Sequence, residues 1–188
     1  MLNVRSHADQ RSLALRALLV IAGAQLMWLG SKFSIDVLPV PITGQTLALP
    51  LIVAALGTWQ ATLAMVVYLS EGALGLPVFA TGGFGIAYLL GHPSSGYLWA
   101  YPLAAFTIGS LYDRGFARYY AGRWIAIFAG TALIFAIGAG RLVPFVGGFG
   151  AAWTLGVAPF IVGDLLKISI AAGLGPSWQR IAARLGIP

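Results

Sequence analysis

The chain repeatedly runs for roughly the length of a bilayer on Leu, Ile, Ala, Val and Phe before a charge, Gly or Pro stops it: at about 13–31, 97–112, 123–140 and 155–175. A helix of about 20 such residues crosses a hydrocarbon core about 30 Å thick and satisfies its own backbone hydrogen bonds, which lipid cannot do for it. With 59% hydrophobic and only 9% charged residues in 188, this chain cannot solvate the outside of a soluble domain. The sequence therefore predicts an all-α integral membrane protein, a single membrane domain over residues 1–188. Arg5, Arg11 and Arg16 precede the first apolar run, but no small-x-small cleavage pattern follows, so that run is expected to be a retained span.

Residues 47–79 are harder to divide, and the basic residues decide. Splitting the stretch at Leu56-Gly57 gives six spans: about 13–31, 47–56, 58–75, 97–112, 123–140 and 155–175. Both termini are then cytoplasmic, Arg5, Arg11, Arg16, Arg114, Arg118, Arg123, Arg180 and Arg184 lie inside, and only Lys32 and Arg141 lie outside. Without the split, four basic residues fall inside and six outside, against the positive-inside rule. The 47–56 helix would rise only about 15 Å, too little to cross alone, and short Gly-broken helices often surround transporter binding sites. Three turn-rich segments then face outward, Lys32–Gln45, Leu76–Gly96 and Arg141–Thr154, with Gly, Pro, Ser, Thr and aromatics suited to covering a pocket. The net charge of +6 is accounted for by topology and implies lipid contact rather than nucleic-acid binding.

Asp164 and Lys167 stand inside the last apolar run. Ionisable groups at that depth are costly and persist where they pair and face a ligand or the bundle interior. Three residues subtend about 300° of helix, so the two share a face. A packing ion pair would explain them without a ligand, but buried pairs seldom stabilise better than apolar packing. Thr43, Gln45 and Thr46 follow Pro39 and Pro41, which hold the chain extended before a helix start. They offer hydrogen bonds to a polar ligand there, or, for Thr43, a helix cap. Glu71 is expected at the interface. Tyr88, His92, Tyr97, Trp99 and Tyr101 suit an aromatic belt, with Tyr88 and Tyr97 also candidates for the pocket wall. There is no cysteine, no phosphate loop, no nucleophile elbow and no ligand set around His92, so neither an enzyme, a metal site nor a cofactor is expected.

Three segments in combination resemble a known family: Val40-Pro-Ile-Thr-Gly-Gln-Thr-Leu-Ala48; Gly72-Ala-Leu-Gly-Leu-Pro-Val-Phe-Ala80 with Pro93-Ser-Ser-Gly-Tyr-Leu98; and Gly163-Asp-Leu-Leu-Lys167. The chain is similar to the biotin-specific S components of energy-coupling-factor (ECF) transporters, the BioY family. That resemblance implies a six-helix S-component bundle in the bacterial cytoplasmic (inner) membrane. It would hold one biotin near the outer face, under the loops after the first and third spans. It implies that Asp164 and Lys167 contact the vitamin; Thr43, Gln45, Tyr88 and Tyr97 are the further candidates for the site. The implied partners are a transmembrane coupling subunit and cytoplasmic ABC ATPases. Two places depart from the family pattern. Small residues recur seven apart at Ala17, Ala24 and Ser31 on the first span rather than four apart, and the Gly91-His-Pro-Ser-Ser-Gly-Tyr97 loop is longer than usual. The alternatives are an S component for another vitamin, or a self-sufficient proton-coupled secondary transporter.

Overall fold

A computed structural model describes the backbone of residues 2–36 and 39–184, and the side chains of residues 13–36 and 39–175. Helix α1 (Leu2–Lys32) leads into a two-residue antiparallel pair, β1 (Ser34–Ile35) with β2 (Ile42–Thr43), in register Ser34 to Thr43 and Ile35 to Ile42. Helices α2 (Gln45–Ala73), α3 (Ile86–Gly91), α4 (Ser95–Asp113), α5 (Tyr120–Val146), α6 (Phe149–Gly156) and α7 (Ile161–Arg184) follow, with single 3-10 turns at Ala80–Gly82, Phe116–Arg118 and Ala158–Phe160.

Helix α2 is two arms, 45–56 and 58–73. Gly57 has φ 74° and ψ 178°, a backbone conformation essentially reserved for glycine, and it interrupts the helix. The break reverses the chain. In a straight helix residues 52 and 64 would stand about 18 Å apart, yet a methyl placed on Gly23 of α1 would meet Ala64, Leu56 and Ile52 together, at 2.9–3.3 Å. Gln45 Nε2 likewise donates to Tyr68 Oη at 2.7 Å, across 23 positions of sequence. The two arms therefore pack side by side. Four stretches are long and apolar enough to cross a membrane: Leu13–Lys32, Gln45–Ala73, Tyr120–Val146 and Phe149–Gly175. Helix α4, 19 residues long, packs between α2 and α5 with Ala100, Ala104 and Ala105 wholly buried.

Polar groups sort to opposite ends of the bundle. At the Gly57 end, Thr58 donates to Asp113 Oδ2 at 2.7 Å, and Arg16 lines the same groove. Arg123 is buried nearby, donating from Nε to Ala172 O at 2.7 Å and from Nη1 to Ala117 O at 2.9 Å. At the other end Lys32 donates to Pro77 O at 3.1 Å and Arg141 to Leu90 O at 2.6 Å. The side chains of Arg5, Arg11, Arg180 and Arg184 lie outside the described residues.

The structure corrects several boundaries. The segment 141–154, expected as a turn-rich loop, is mostly helix: α5 continues through Arg141 to Val146, and after Gly147 and Gly148 α6 begins. Arg141 does not end α5, because its guanidinium is accommodated by the Leu90 carbonyl and by the Phe145 ring, 4.7 Å away. Within 76–96, α3 occupies what composition suggests is loop. The small face expected on α1 turns inward at Ala24 and Ser31, both at 0% exposure, with Ser31 Oγ 2.7 Å from Val78 O.

Candidate functional site

Helix α7 presents Asp164 and Lys167 toward the start of α2. Lys167 Nζ lies 2.8 Å from Asp164 Oδ1, 2.8 Å from Thr43 O and 3.1 Å from Thr46 Oγ1, so each of its three N–H donors has an acceptor within the protein. Thr46 closes the triangle by donating to Asp164 Oδ1 at 2.8 Å. The ion pair is largely withdrawn from solvent, with side-chain exposures of 19% for Lys167 and 5% for Asp164. Asp164 Oδ2 receives no hydrogen bond from the described residues. Thr43 is not the cap: Gly44 holds that position without a side-chain bond, and Thr43 Oγ1 accepts from Gln45 N at 3.3 Å.

One residue along, Gln45 points into the scaffold. Its Nε2 donates to Tyr68 Oη at 2.7 Å and approaches Met27 O at 3.3 Å, while its Oε1 accepts from Tyr101 Oη at 3.0 Å. Tyr68 Oη in turn donates to Val78 O at 3.1 Å. A buried amide with all these bonds made fixes α1, both arms of α2 and α4 relative to one another.

Tyr97 forms a wall. Its hydroxyl donates to Gly156 O at 2.8 Å, and its ring sits so close to Gly138 that a Cβ there would collide with it. Tyr88 on α3 forms the roof, stacked between Phe79 (centroids 5.5 Å apart) and His92 (4.1 Å). His92 Nδ1 lies 2.7 Å from Ser94 Oγ and 3.2 Å from Ser94 N. A backbone N–H only donates, so Nδ1 is the acceptor and the ring proton resides on Nε2. Burial holds the His92 pKa below the ordinary imidazole value and pushes the Tyr88 phenol up. The roof segment is pinned by the Lys32 and Arg141 bonds to its carbonyls and by Trp99 Nε1 donating to Leu89 O at 2.9 Å.

These groups line one cavity with about 520 Å³ of space free of protein atoms, its open mouth included. All six residues expected from sequence, Thr43, Gln45, Tyr88, Tyr97, Asp164 and Lys167, line it. Thr46, considered beside Thr43, proves to be the hinge of the ion pair. Sequence reasoning did not single out Ser94, Ile134, Phe135 or Phe160 as lining. Tyr101 had a usable signal: it lies four residues after Tyr97 on one helix and so shares its face. Glu71 lies elsewhere, accepting from Gln25 Nε2 at 2.9 Å, and Trp99 turns outward. Among the described residues no three His, Asp or Glu side chains gather as metal ligands. The chamber instead offers a carboxylate and an ammonium side by side at one end, aromatic walls and an apolar flank. That arrangement suits a small ligand with both hydrogen-bonding and hydrophobic parts.

Known proteins are similar to this chain. A protein of Pyrococcus horikoshii named as a probable biotin transporter BioY is 39% identical over 153 residues, covering 81% of this chain and 89% of the relative. The biotin transporter BioY of Thermotoga maritima is 38% identical over 149 residues, covering 78% and 85%. The crystal structure of the S-component for biotin from an ECF-type ABC transporter superposes with a TM-score of 0.80 over 90% of this chain and 93% of that one. At 22% identity that likeness shows the S-component fold. The model of the BioY family matches residues 5–184, and the chain belongs to that family.

Proposed function

We propose that this chain is the membrane-embedded capture subunit of a biotin uptake transporter, binding the vitamin in the chamber beneath α3 and performing no catalytic step of its own. The observation that carries the reading is the Thr46–Asp164–Lys167 triangle, opening on a cavity whose other walls are tyrosines and apolar side chains. Biotin presents ureido N–H donors, a ureido oxygen, a carboxylate and an apolar ring system and chain. The triangle carries a carboxylate acceptor and an ammonium donor, and the walls match the rest. Because the Lys167 donors are all taken within the protein, ligand capture by Lys167 exchanges one internal bond, with the Thr43 carbonyl or Thr46 hydroxyl, for one to the ligand. Asp164 Oδ2 needs no such exchange.

The same reading extends to topology and partners. The Gly57 break turns α2 back on itself, so that its two arms, the first of them too short to cross unaided, stand with α1, α4, α5 and α7 as six membrane-embedded helices. The Arg16–Asp113–Arg123 end faces the cytoplasm by the positive-inside rule, and the chamber faces outward. Biotin therefore enters from outside, and inward delivery requires work from a coupling subunit and ABC ATPases, as in the family the chain belongs to. The protein would reside in a bacterial cytoplasmic membrane. Two experiments test this. A panel of labelled vitamins offered to purified protein should return biotin alone; preferential binding of riboflavin or thiamine would overturn the substrate assignment. The chain has no cysteine, so a single cysteine placed at Trp59 should be shielded from an impermeant thiol reagent in intact cells, and one at Phe84, which is exposed at the other end, labelled. The opposite pattern would reverse the orientation.

A further inference from the structure

A second cavity lies on the outer flank of the bundle between α5 and α7, with about 1050 Å³ of space free of protein atoms, open side included. Its walls are apolar or small, Ala132, Ala136, Ala139, Leu165 and Ile168 among them, and Thr131 and Asp164 are its polar members. Both helices belong to stretches long and apolar enough to cross a membrane, and the rim residues Phe128, Trp153 and Leu165 are 38–57% exposed. What borders the groove is therefore hydrocarbon. A space this large cannot remain empty without forfeiting contacts along its whole lining, and apolar walls do not hold water. Two of its residues, Phe135 and Asp164, also line the polar chamber. The Phe135 ring, propped at 5.8 Å from Phe160 and 6.3 Å from Tyr97, stands between the two spaces.

We propose that the α5–α7 groove is a lipid site occupied by one acyl chain of the surrounding bilayer, and that Phe135 is the partition that keeps this chain out of the ligand chamber. The chamber needs such a seal. Its polar corner reaches the groove at Asp164, and a hydrocarbon chain entering there would cover the carboxylate that the proposed ligand uses. The lipid site itself does not depend on biotin being that ligand.

A fatty acid carrying a mid-chain diazirine, photolysed with the protein in vesicles and mapped by peptide mass spectrometry, tests both parts. In the wild type, adducts should concentrate on Ala132, Ala136 and Leu165 at least several-fold above the lipid-facing side of α4 at Leu103 and Phe106. In Phe135→Ala they should extend to Leu98 and Ile134 within the chamber, and Ala136→Trp, which plugs the groove, should abolish the α5–α7 adducts. Phe135→Leu serves if the alanine variant does not fold, with fewer chamber adducts expected. Uniform labelling of groove and α4, or chamber adducts no more frequent in the Phe135 variants than in the wild type, would overturn the proposal. A parallel biotin titration separates the two readings. Oleate should weaken binding at least tenfold in Phe135→Ala and less than twofold in the wild type. Wild-type protein that fails to bind biotin but shows the groove adducts would sink the biotin reading and leave the lipid site standing.

Discussion

Two polar knots grow from the same four residues at the start of α2, and they differ in what they face. Gln45 turns into the scaffold, is 1% exposed, and has its amide bonded to Tyr68, Tyr101 and the Met27 carbonyl. The Thr43 carbonyl and the Thr46 hydroxyl turn the other way, toward an ion pair on α7 that keeps a partly exposed ammonium and an uncommitted carboxylate oxygen at a cavity wall, while the Thr43 hydroxyl stays 3.3 Å from Gln45 Oε1. Both knots are buried enough that breaking them is costly, but the second keeps a carboxylate oxygen, Asp164 Oδ2, that no described residue bonds. The comparison shows how to separate a structural polar cluster from a binding one: by whether every donor and acceptor is consumed, and by what lies on the open side.

The difference can be broken experimentally from either side. The largest effect is expected for Lys167→Met or Asp164→Asn, each of which removes one partner of a withdrawn pair and should weaken biotin binding by about 100-fold or more, near 2.7 kcal/mol. Gln45→Leu should act mainly on the fold. The orphaned Tyr101 hydroxyl costs about 1–3 kcal/mol, to be read as a lowered unfolding midpoint, with a smaller loss of affinity than either ion-pair variant shows. Equal losses of affinity from Gln45→Leu and Lys167→Met would erase the distinction between the knots. Thr46→Val removes the hydroxyl that both members of the pair use, and should reduce affinity roughly tenfold, about 1.4 kcal/mol, without changing the unfolding midpoint much.

The smallest effect belongs to the roof. Burial lowers the folded-state pKa of His92 below its unfolded value near 6.5, so the unfolded chain takes up the proton first as pH falls. The stability contributed by neutral His92 is fully present above about pH 6.5 and is lost as pH falls through the lower folded value. Protonation also abolishes the acceptor that Ser94 uses. Unfolding midpoints measured from pH 8 to 5 should therefore drop more for the wild type than for His92→Asn, and parallel curves would show that the ring does not titrate with the fold.

Much of this was legible in the sequence for specific physical reasons. Asp164 and Lys167 are conspicuous because charge is expensive in an apolar run, and their spacing alone puts them on one helix face. Gly57 is legible as a break because the count of basic residues demanded one, and its backbone angles, φ 74° and ψ 178°, suit only glycine. The second role of Gln45 was hidden, since its partners lie 23 and 56 positions away and only tertiary packing joins them. Helices α3 and α6 were hidden by their glycines. Gly85, Gly147 and Gly148, all at positive φ, turn the chain sharply around short helices that composition reads as loops. Phe135 and Phe160 gave no signal at all, because an aromatic lining a pocket and one facing lipid look alike in a span of apolar residues.

The central claim is that Asp164 and Lys167 act as one binding device, and a double-mutant cycle on biotin affinity tests it most directly. If they do, Asp164→Asn/Lys167→Met should bind within a few-fold of the weaker single variant, a coupling of about 1.5 kcal/mol or more. Independent, additive losses would contradict the account, and so would a double variant that binds biotin as tightly as the wild type.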